Sequence, residues 1–455
     1  MTKQVTAIIV GAGHRALLYA SFAEMQPERF KIIGVADPNA FRRKETVERF
    51  GFGEDTCFES AEALAATGKK LADCIINGTM DEDHVPTSVP LLRLGYDMLL
   101  EKPFAINETE MFYLLDVARE NNAKVMICHV LRYAPFYRAI KDILLSGEIG
   151  EVIALRMSEL VSYHHAAVSF IRGKWGNSDL CGAPFLLAKC CHDMDLMIWL
   201  KGVKPAEITS QGSDFQFAEF KKPAGSADRC LDCAYVDTCD YSAKGHYLDH
   251  PDRWAFYVWD AIEHIENPTL ADKEASLRGN NIHGRCVWNC NHKNIDHQLT
   301  TVNFTDGSTG VLNLIAGTAK PDRDIHIVGT HGEIQGSFES AKFTVRTIVP
   351  SAPTGYEERV VDLHMAGDAS GAFGVHGGGD IRMVEDFVAI LEGNEPSISA
   401  TSLDDSILGH LAVFKAEEAR KERRVVNILP DLVRHGVLRN SDMDAEVYKR
   451  IMNAD

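Results

Sequence analysis

The sequence predicts a two-domain α/β protein: a doubly wound parallel-sheet domain first, then an α/β domain on a large, mostly antiparallel open sheet. Up to about residue 128, short apolar runs alternate with segments of helical period, the pattern of strand–helix–strand crossovers. After residue 150, longer β-rich runs follow one another across polar turns, as in antiparallel sheets. At 455 residues the chain also exceeds what one hydrophobic core usually organises.

The expected strands of the first domain are Thr6–Val10, Lys31–Ala36, Asp73–Asn77, Asp97–Leu100 and Lys124–Cys128. Gly13–Met25, Phe41–Phe50, Val85–Leu94 and Glu108–Asn121 are the helices between them. In the second domain Glu151–Leu160, Thr300–Phe304, Thr309–Ile315, Ile325–Val328 and Lys342–Ile348 read as strands, with turns such as Asp306-Gly307 and His331-Gly332. Asp380–Glu392 and Asp404–Arg420 read as late helices. The boundaries expected are 1–128, 129–430 and a C-terminal tail, 431–455. Residues 213–285 hold Cys, His and Trp without a clear period and read as an insertion or lid.

Composition narrows the function. The 47 Lys and Arg against 65 Asp and Glu leave a formal charge of −18, with no basic run, which disfavours nucleic acid. No window approaches the roughly 18 apolar residues that a membrane span needs. The N-terminus runs from a short strand straight into a glycine turn, without a signal-peptide pattern. Eleven cysteines, an odd number, suit reduced thiols in a cytoplasmic protein better than a disulfide scaffold.

Gly11-Ala12-Gly13-His14-Arg15-Ala16 carries the most informative local pattern. Gly11 permits a tight turn, Gly13 lets a pyrophosphate approach the backbone, and Ala16 allows helix to pack closely on strand. The match follows a strand, opens a helix and is followed by Asp37 at the end of the second strand. That context marks a Rossmann dinucleotide site, with His14 and Arg15 in the turn. A carboxylate at Asp37 bonds the adenosine ribose and repels a 2′-phosphate, so NAD is expected over NADP; Arg42 and Arg43 are the residues that would hold a phosphate instead. Asn77 and Glu101-Lys102-Pro103 end later strands, where ligands of open α/β sheets bind. Lys102 can hydrogen-bond a reacting hydroxyl or shuttle its proton.

Together, GAG, ADP and EKP, followed by a β-rich half with a His-x-x-Asp helix, resemble the glucose–fructose oxidoreductase / inositol dehydrogenase (Gfo/Idh/MocA) family from about residue 5 to 425. The resemblance implies that Lys102 lies by nicotinamide and substrate, with a histidine of the second domain completing a catalytic pair. His192, in LLAKCCHDMDLMIWL, is that histidine. Asp195, three residues on and so on the same helical face, is expected to orient the imidazole or bind substrate. Relatives usually carry an aspartate four residues before this histidine, where this chain has Ala188 followed by Lys189.

Further candidates face the expected cleft. His129, Arg132 and Tyr133 follow the last parallel strand, and a hydrogen-bonded domain hinge is the other account of them. Tyr163-His164-His165, Arg172 and Trp175 lie where the resembled family contacts substrate and cofactor; Trp175 is assigned to cofactor, His164 and Arg172 to substrate. His297, in Asp296-His297-Gln298, is a further substrate candidate; His376, before Gly377-Gly378-Gly379-Asp380, either lines the same pocket or belongs to a glycine-enabled turn, the favoured reading. Cys230-x2-Cys233-x5-Cys239 has the knuckle spacing of structural zinc, with His246, Cys286 or Cys290 as fourth ligand and free thiols as the alternative.

The expected activity is hydride transfer between NAD(H) and a hydroxyl carbon of a sugar, polyol or related carbohydrate. The alternatives are a redox-neutral glycosidase that retains NAD, as some members of the resembled family are, and a non-catalytic nucleotide-binding sensor. The family resemblance also implies a homo-oligomer, dimer or tetramer, formed through the exposed sheet face.

Overall fold

The computed structural model describes residues 4–363 and 377–438. The C-terminal tail beyond residue 438 and the candidate His376 lie outside them.

Six parallel strands form the first sheet: β1 (Val5–Val10), β2 (Phe30–Ala36), β3 (Cys57–Phe58), β4 (Cys74–Asn77), β5 (Asp97–Leu100) and β6 (Val125–Ile127). Their order is β3-β2-β1-β4-β5-β6. Ala7 to Val10 of β1 are wholly buried, as a strand covered by helices on both faces requires. The chain leaves β1 for β2 on one side and returns to β4 on the other, so a crevice opens at the carboxyl ends of β1 and β4. The sequence suggests one helix over Gly13–Met25; the chain instead forms His14–Ala20 and Phe22–Met25, parted at Ser21, whose hydroxyl donates back to the Leu18 carbonyl at 2.6 Å.

The second sheet has nine strands: β7 (Val152–Ser162), β8 (Pro205–Ser213), β9 (His297–Phe304), β10 (Thr309–Thr318), β11 (Asp322–Gly329), β12 (Gly332–Ser337), β13 (Lys342–Ile348), β14 (Tyr356–Asp362) and β15 (Val426–Asn427). The order is β14-β13-β12-β11-β7-β10-β9-β8-β15, antiparallel throughout except for β7 beside β10. The helices Phe185–Lys201 and Leu403–Glu422 share a core with its inner face. Alternation along β9 leaves Leu299 on the outer face, 46% exposed.

Two features tie the domains together. The helix Gly379–Leu391 packs Met383, Val384 and Phe387 into the core formed by Ala16, Tyr19 and Tyr133 of the first part of the chain. At the end of β6, Ile127 N–H donates to the Thr401 carbonyl at 2.8 Å. The insertion packs two small cores with the segment after β7, one of Tyr247, Val258, Trp259 and Leu277 with Val168, another of Phe217 and Tyr241 with Ala167, Ile171 and Val287. It also holds a helix the sequence pattern did not reveal, Leu270–Arg278, started by a reciprocal cap between Thr269 and Asp272.

Candidate active site

The dinucleotide turn has the backbone its glycines predict. Gly11 sits at φ +78°, and a Cβ there would lie 2.7 Å from the Thr79 nitrogen, so the turn after β1 fits against the loop after β4 only without a side chain. At Gly13 a Cβ would meet nothing within 4 Å, which leaves the backbone open to a ligand. Ala16 touches Gly78 so closely that a Cβ on Gly78 would lie 2.8 Å from the alanine methyl. No side chain caps the His14–Ala20 helix, so first-turn N–H groups remain for phosphate oxygens. Asp37 is buried at the end of β2 and accepts from Ala12 N and Asn39 N, each at 2.7 Å. These features fit an adenine dinucleotide.

Around that turn the charged groups are already committed. Glu101 accepts from Arg15 Nε at 2.9 Å and from the Tyr19 hydroxyl at 2.8 Å. Burial alone would raise the Glu101 carboxyl, but Arg15 and Lys102 outweigh it and hold it below the usual range. Arg15 also reaches Asp380 at 2.5 Å, clamping the late helix onto the turn. The Asn77 amide is spent on Thr87 and Ser88, both at 2.9 Å, and its oxygen accepts from Thr79. Arg43 donates to the Asp37 and Pro38 carbonyls. Arg42 pairs with Asp260 at 2.5 Å and Glu263 at 3.0 Å, both carboxylates of the insertion. Asn39 bonds Glu263 as well, at 2.7 Å.

The insertion therefore reaches over the cofactor turn. Phe256 stacks on His14 with centroids 4.6 Å apart, and Trp254 stacks on His165 at 4.4 Å. Trp254 sits at φ +57°, a strained backbone for a tryptophan, and its indole N–H donates to His164 Nδ1 at 2.9 Å. Trp175 donates to Asp81, on the loop after β4, at 2.8 Å and meets Tyr257 edge-on. It thus bridges the second domain to the loop beside the cofactor turn.

Lys102 follows β5 and donates from Nζ to the Ala188 carbonyl at 3.2 Å. Ala188 lies one helical turn before His192 on the Phe185–Lys201 helix, so Lys102 and His192 are brought onto one face of the cleft. His129 meets the His192 ring edge-on at 5.5 Å. Burial, with Arg132 and Lys102 nearby, holds His129 well below the ordinary histidine value, and burial does the same to His165.

Several expected substrate residues stand elsewhere. The Asp195 carboxylate takes both ends of the Arg132 guanidinium, at 2.7 and 2.5 Å, with the pair buried. The Tyr133 hydroxyl donates to Asp386 at 2.7 Å and lines a separate cavity with Arg29, Arg382 and Glu385. Arg172 is sealed inside the insertion, 1% exposed, against the Arg285 and Tyr241 carbonyls and Cys230 Sγ. His297 starts β9 with its side chain 47% exposed and paired with Asp296 at 2.7 Å, because strand alternation turns it outward. Among the described residues no three His, Cys, Asp or Glu side chains gather to chelate one ion, so the zinc expectation is not supported.

Sequence reasoning missed a buried quartet beside His192. Arg323 on β11 pairs with Glu159 on β7 at 2.5 Å and with Asp193 at 2.9 Å, and Lys189 lies 3.4 Å from Glu159. Burial lowers the Lys189 amine, and burial raises the Glu159 carboxyl against the pull of Arg323 and Lys189. The available signal was Glu159 on β7 beside the apolar Met157, Leu160 and Val161, with charges at 189 and 193 on either side of His192.

Comparison with known proteins places the two halves. An oxidoreductase-family NAD-binding Rossmann profile matches residues 5–129, and the same family's C-terminal α/β profile matches 141–407. Bacillus subtilis YteT, named as an oxidoreductase, is 24% identical over 397 residues, 83% of this chain and 87% of that one. An inositol 2-dehydrogenase of Corynebacterium glutamicum is 20% identical over 209 residues, spanning 46% of this chain and 57% of its own. An oxidoreductase from Agrobacterium radiobacter, solved with NAD+, L-tartaric acid and magnesium, superposes with a TM-score of 0.66 at 15% identity, covering 94% of this chain and all of that one. No described helix is long and apolar enough to cross a membrane.

Proposed function

Since the chain belongs to the Gfo/Idh/MocA oxidoreductase family, we propose that it transfers a hydride between NAD(H) and a hydroxyl carbon of a sugar, polyol or related carbohydrate. The observation that supports this most directly is Lys102 Nζ bonded to the Ala188 carbonyl, one helical turn before His192. Bound nicotinamide supplies the hydride acceptor or donor. Lys102 hydrogen-bonds the reacting hydroxyl and fixes its oxygen; His192 takes the carbinol proton as the C–H electron pair leaves and a carbonyl forms. Trp254, Phe256 and Tyr257 cover the groove and keep water from it. The similarity to an inositol 2-dehydrogenase supports a polyhydroxylated substrate. The exposed outer sheet face, with Leu299, Ile348 and Val360, supports the expected homo-oligomer.

The insertion also favours a second reading. An aromatic cover tied down through Arg42 suits a cofactor retained over many turnovers, as a redox-neutral glycosidase needs. A dehydrogenase accumulates NADH in step with substrate consumed; a glycosidase returns the hydride and releases an aglycone with no net change at 340 nm. Over a panel of free sugars, polyols and aryl glycosides we expect NADH to accumulate with a free sugar or polyol. Aglycone release without NADH would replace the proposal with the second reading.

NADH is expected to bind about tenfold or more tightly than NADPH, an advantage of ~1.4 kcal/mol or greater. Asp37 takes the place of a 2′-phosphate, and the nearby Arg42 is neutralised by Asp260 and Glu263. Fluorescence titration of both cofactors against the parent protein and Asp37→Ser checks this. The gap should narrow in the variant, and equal affinities in the parent would overturn the assignment.

A further inference from the structure

Among the described residues, the helix Phe185–Lys201 is buried along its whole length except at Lys189 and at Lys201, its last residue. Lys189 keeps 16% of its side chain exposed, so the body of the helix opens to solvent three residues before His192. One position earlier, the Ala188 carbonyl accepts from Lys102 Nζ at 3.2 Å. Residues three apart share a helical face, with Cβ atoms about 5–6 Å from each other, which sets Lys189 beside His192. The opening in this helix is therefore the place where Lys102 meets it.

Both lysines are partly exposed, and the acids around them are not. Glu159, Asp193, Glu101 and Asp81 are all buried. Arg323 holds Glu159 at 2.5 Å and Asp193 at 2.9 Å, Arg15 holds Glu101 at 2.9 Å, and Asp81 accepts from Trp175. An ammonium offers donors and no acceptor. A neutral polyol needs acceptors as well as donors, whereas an anion is met by donors and positive charge alone. His165 adds a further wall: its ring stacks on Trp254 of the cover at 4.4 Å. Burial lowers the His165 ring, and Lys189, Arg323 and Lys102 add to that effect. Burial also lowers the Lys189 amine, a cost that an anion bound against it would offset. Glu159 stays 3.4 Å from that amine, so one further negative charge suits the site better than two.

We propose that Lys189 binds the carboxylate of a sugar acid, so that the substrate is an aldonic or uronic acid rather than a neutral sugar or polyol. The proposal rests on the carbohydrate reading of the cleft given above and narrows it to the acidic members of that class. Lys102 and His192 handle the reacting hydroxyl. Lys189, three residues before His192, holds the acid group, which takes no part in the hydride transfer.

The test is a matched panel of acids and their neutral counterparts. With NADH bound to the protein no sugar hydroxyl can be oxidised, so calorimetric titration of this complex reads affinity apart from turnover. Aldonates and hexuronates of the gluco, galacto and manno series should bind at least about tenfold more tightly than alditols and hexoses of the same configuration, the advantage of one hydrogen bond to a charged group. That ratio, taken within each protein, should persist in Lys189→Arg. It should vanish when Lys189→Met is combined with Glu159→Gln, which removes both charges together. Equal or tighter binding of the neutral sugars by the parent protein would overturn the proposal. So would tighter binding of hexose phosphates, or an undiminished ratio in the double variant. Hydride transfer is read separately, with NAD in place of NADH. Sugar acids that bind preferentially yet yield no NADH would leave the charge selection standing and remove the dehydrogenase reading instead. Because the panel on the parent protein is decisive, the proposal stands or falls even where a variant fails to fold.

Discussion

Replacing Lys102 or His192 by alanine is expected to lower kcat by about 10²–10⁴-fold, the range of a positioned acid–base group. Both replacements act on the chemical step. Lys102 emerges from β5 between the dinucleotide turn and the helix of the second domain, and its Nζ rests 3.2 Å from the Ala188 carbonyl. His192 lies one helical turn after Ala188 on the helix of the second domain. The double variant should be little slower than either single one, because the two groups act in one proton transfer and their effects are not additive. The affinity for NADH, read by fluorescence, should stay within about threefold of the parent in His192→Ala, since that ring belongs to the second domain. Near-full activity in both single variants would remove the site assignment under either the dehydrogenase or the glycosidase reading.

Replacing Asp195 by alanine is expected to cost about 3–5 kcal/mol of stability, the penalty for leaving a buried charge without its partner. Arg132 is 4% exposed, and its two bonds to Asp195 fix the connection after β6 to the Phe185–Lys201 helix. The Ala400 carbonyl, 3.0 Å from Arg132 Nη1, cannot replace that charge. A Tm loss on the order of 10 °C should follow for a domain of this size. Pairing Asp195→Leu with Arg132→Met should recover part of the loss, because an apolar pair removes both charges together. Thermal unfolding of the single and double variants measures this, and a loss below about 1 kcal/mol in Asp195→Ala would show that the pair does not hold the hinge. Asp195→Ala should also keep more activity than His192→Ala, which separates a positioning residue from a proton-transfer group.

What the sequence determined by itself is mostly local. Glycine conformations, strand-to-helix alternation and the charge ending β2 are encoded within a few neighbouring residues, so the Rossmann domain and its cofactor turn could be read directly. Lys102 and His192 came from a tripeptide and a helical spacing that need only their own neighbourhoods, together with a family resemblance. The second sheet was legible in β7, β9, β10, β11 and β13, whereas β8, β12 and β14 carry too few contrasting residues for a period to show. Tertiary structure decided the partners. Spacing put Asp195 on the face of His192, but Arg132, sixty-three positions away, offers a bidentate charge pair and takes the carboxylate. Spacing likewise gathered Cys230, Cys233 and Cys239, yet only the Arg229–Arg285 bridge brings Cys286 to the same cavity, and only the packing sets Arg172 against Cys230 Sγ. Arg42 read as a phosphate ligand until the insertion brought Asp260 and Glu263 against it. In each case the competing group lies far along the chain, and a buried charge takes the best counter-charge that the fold places within reach.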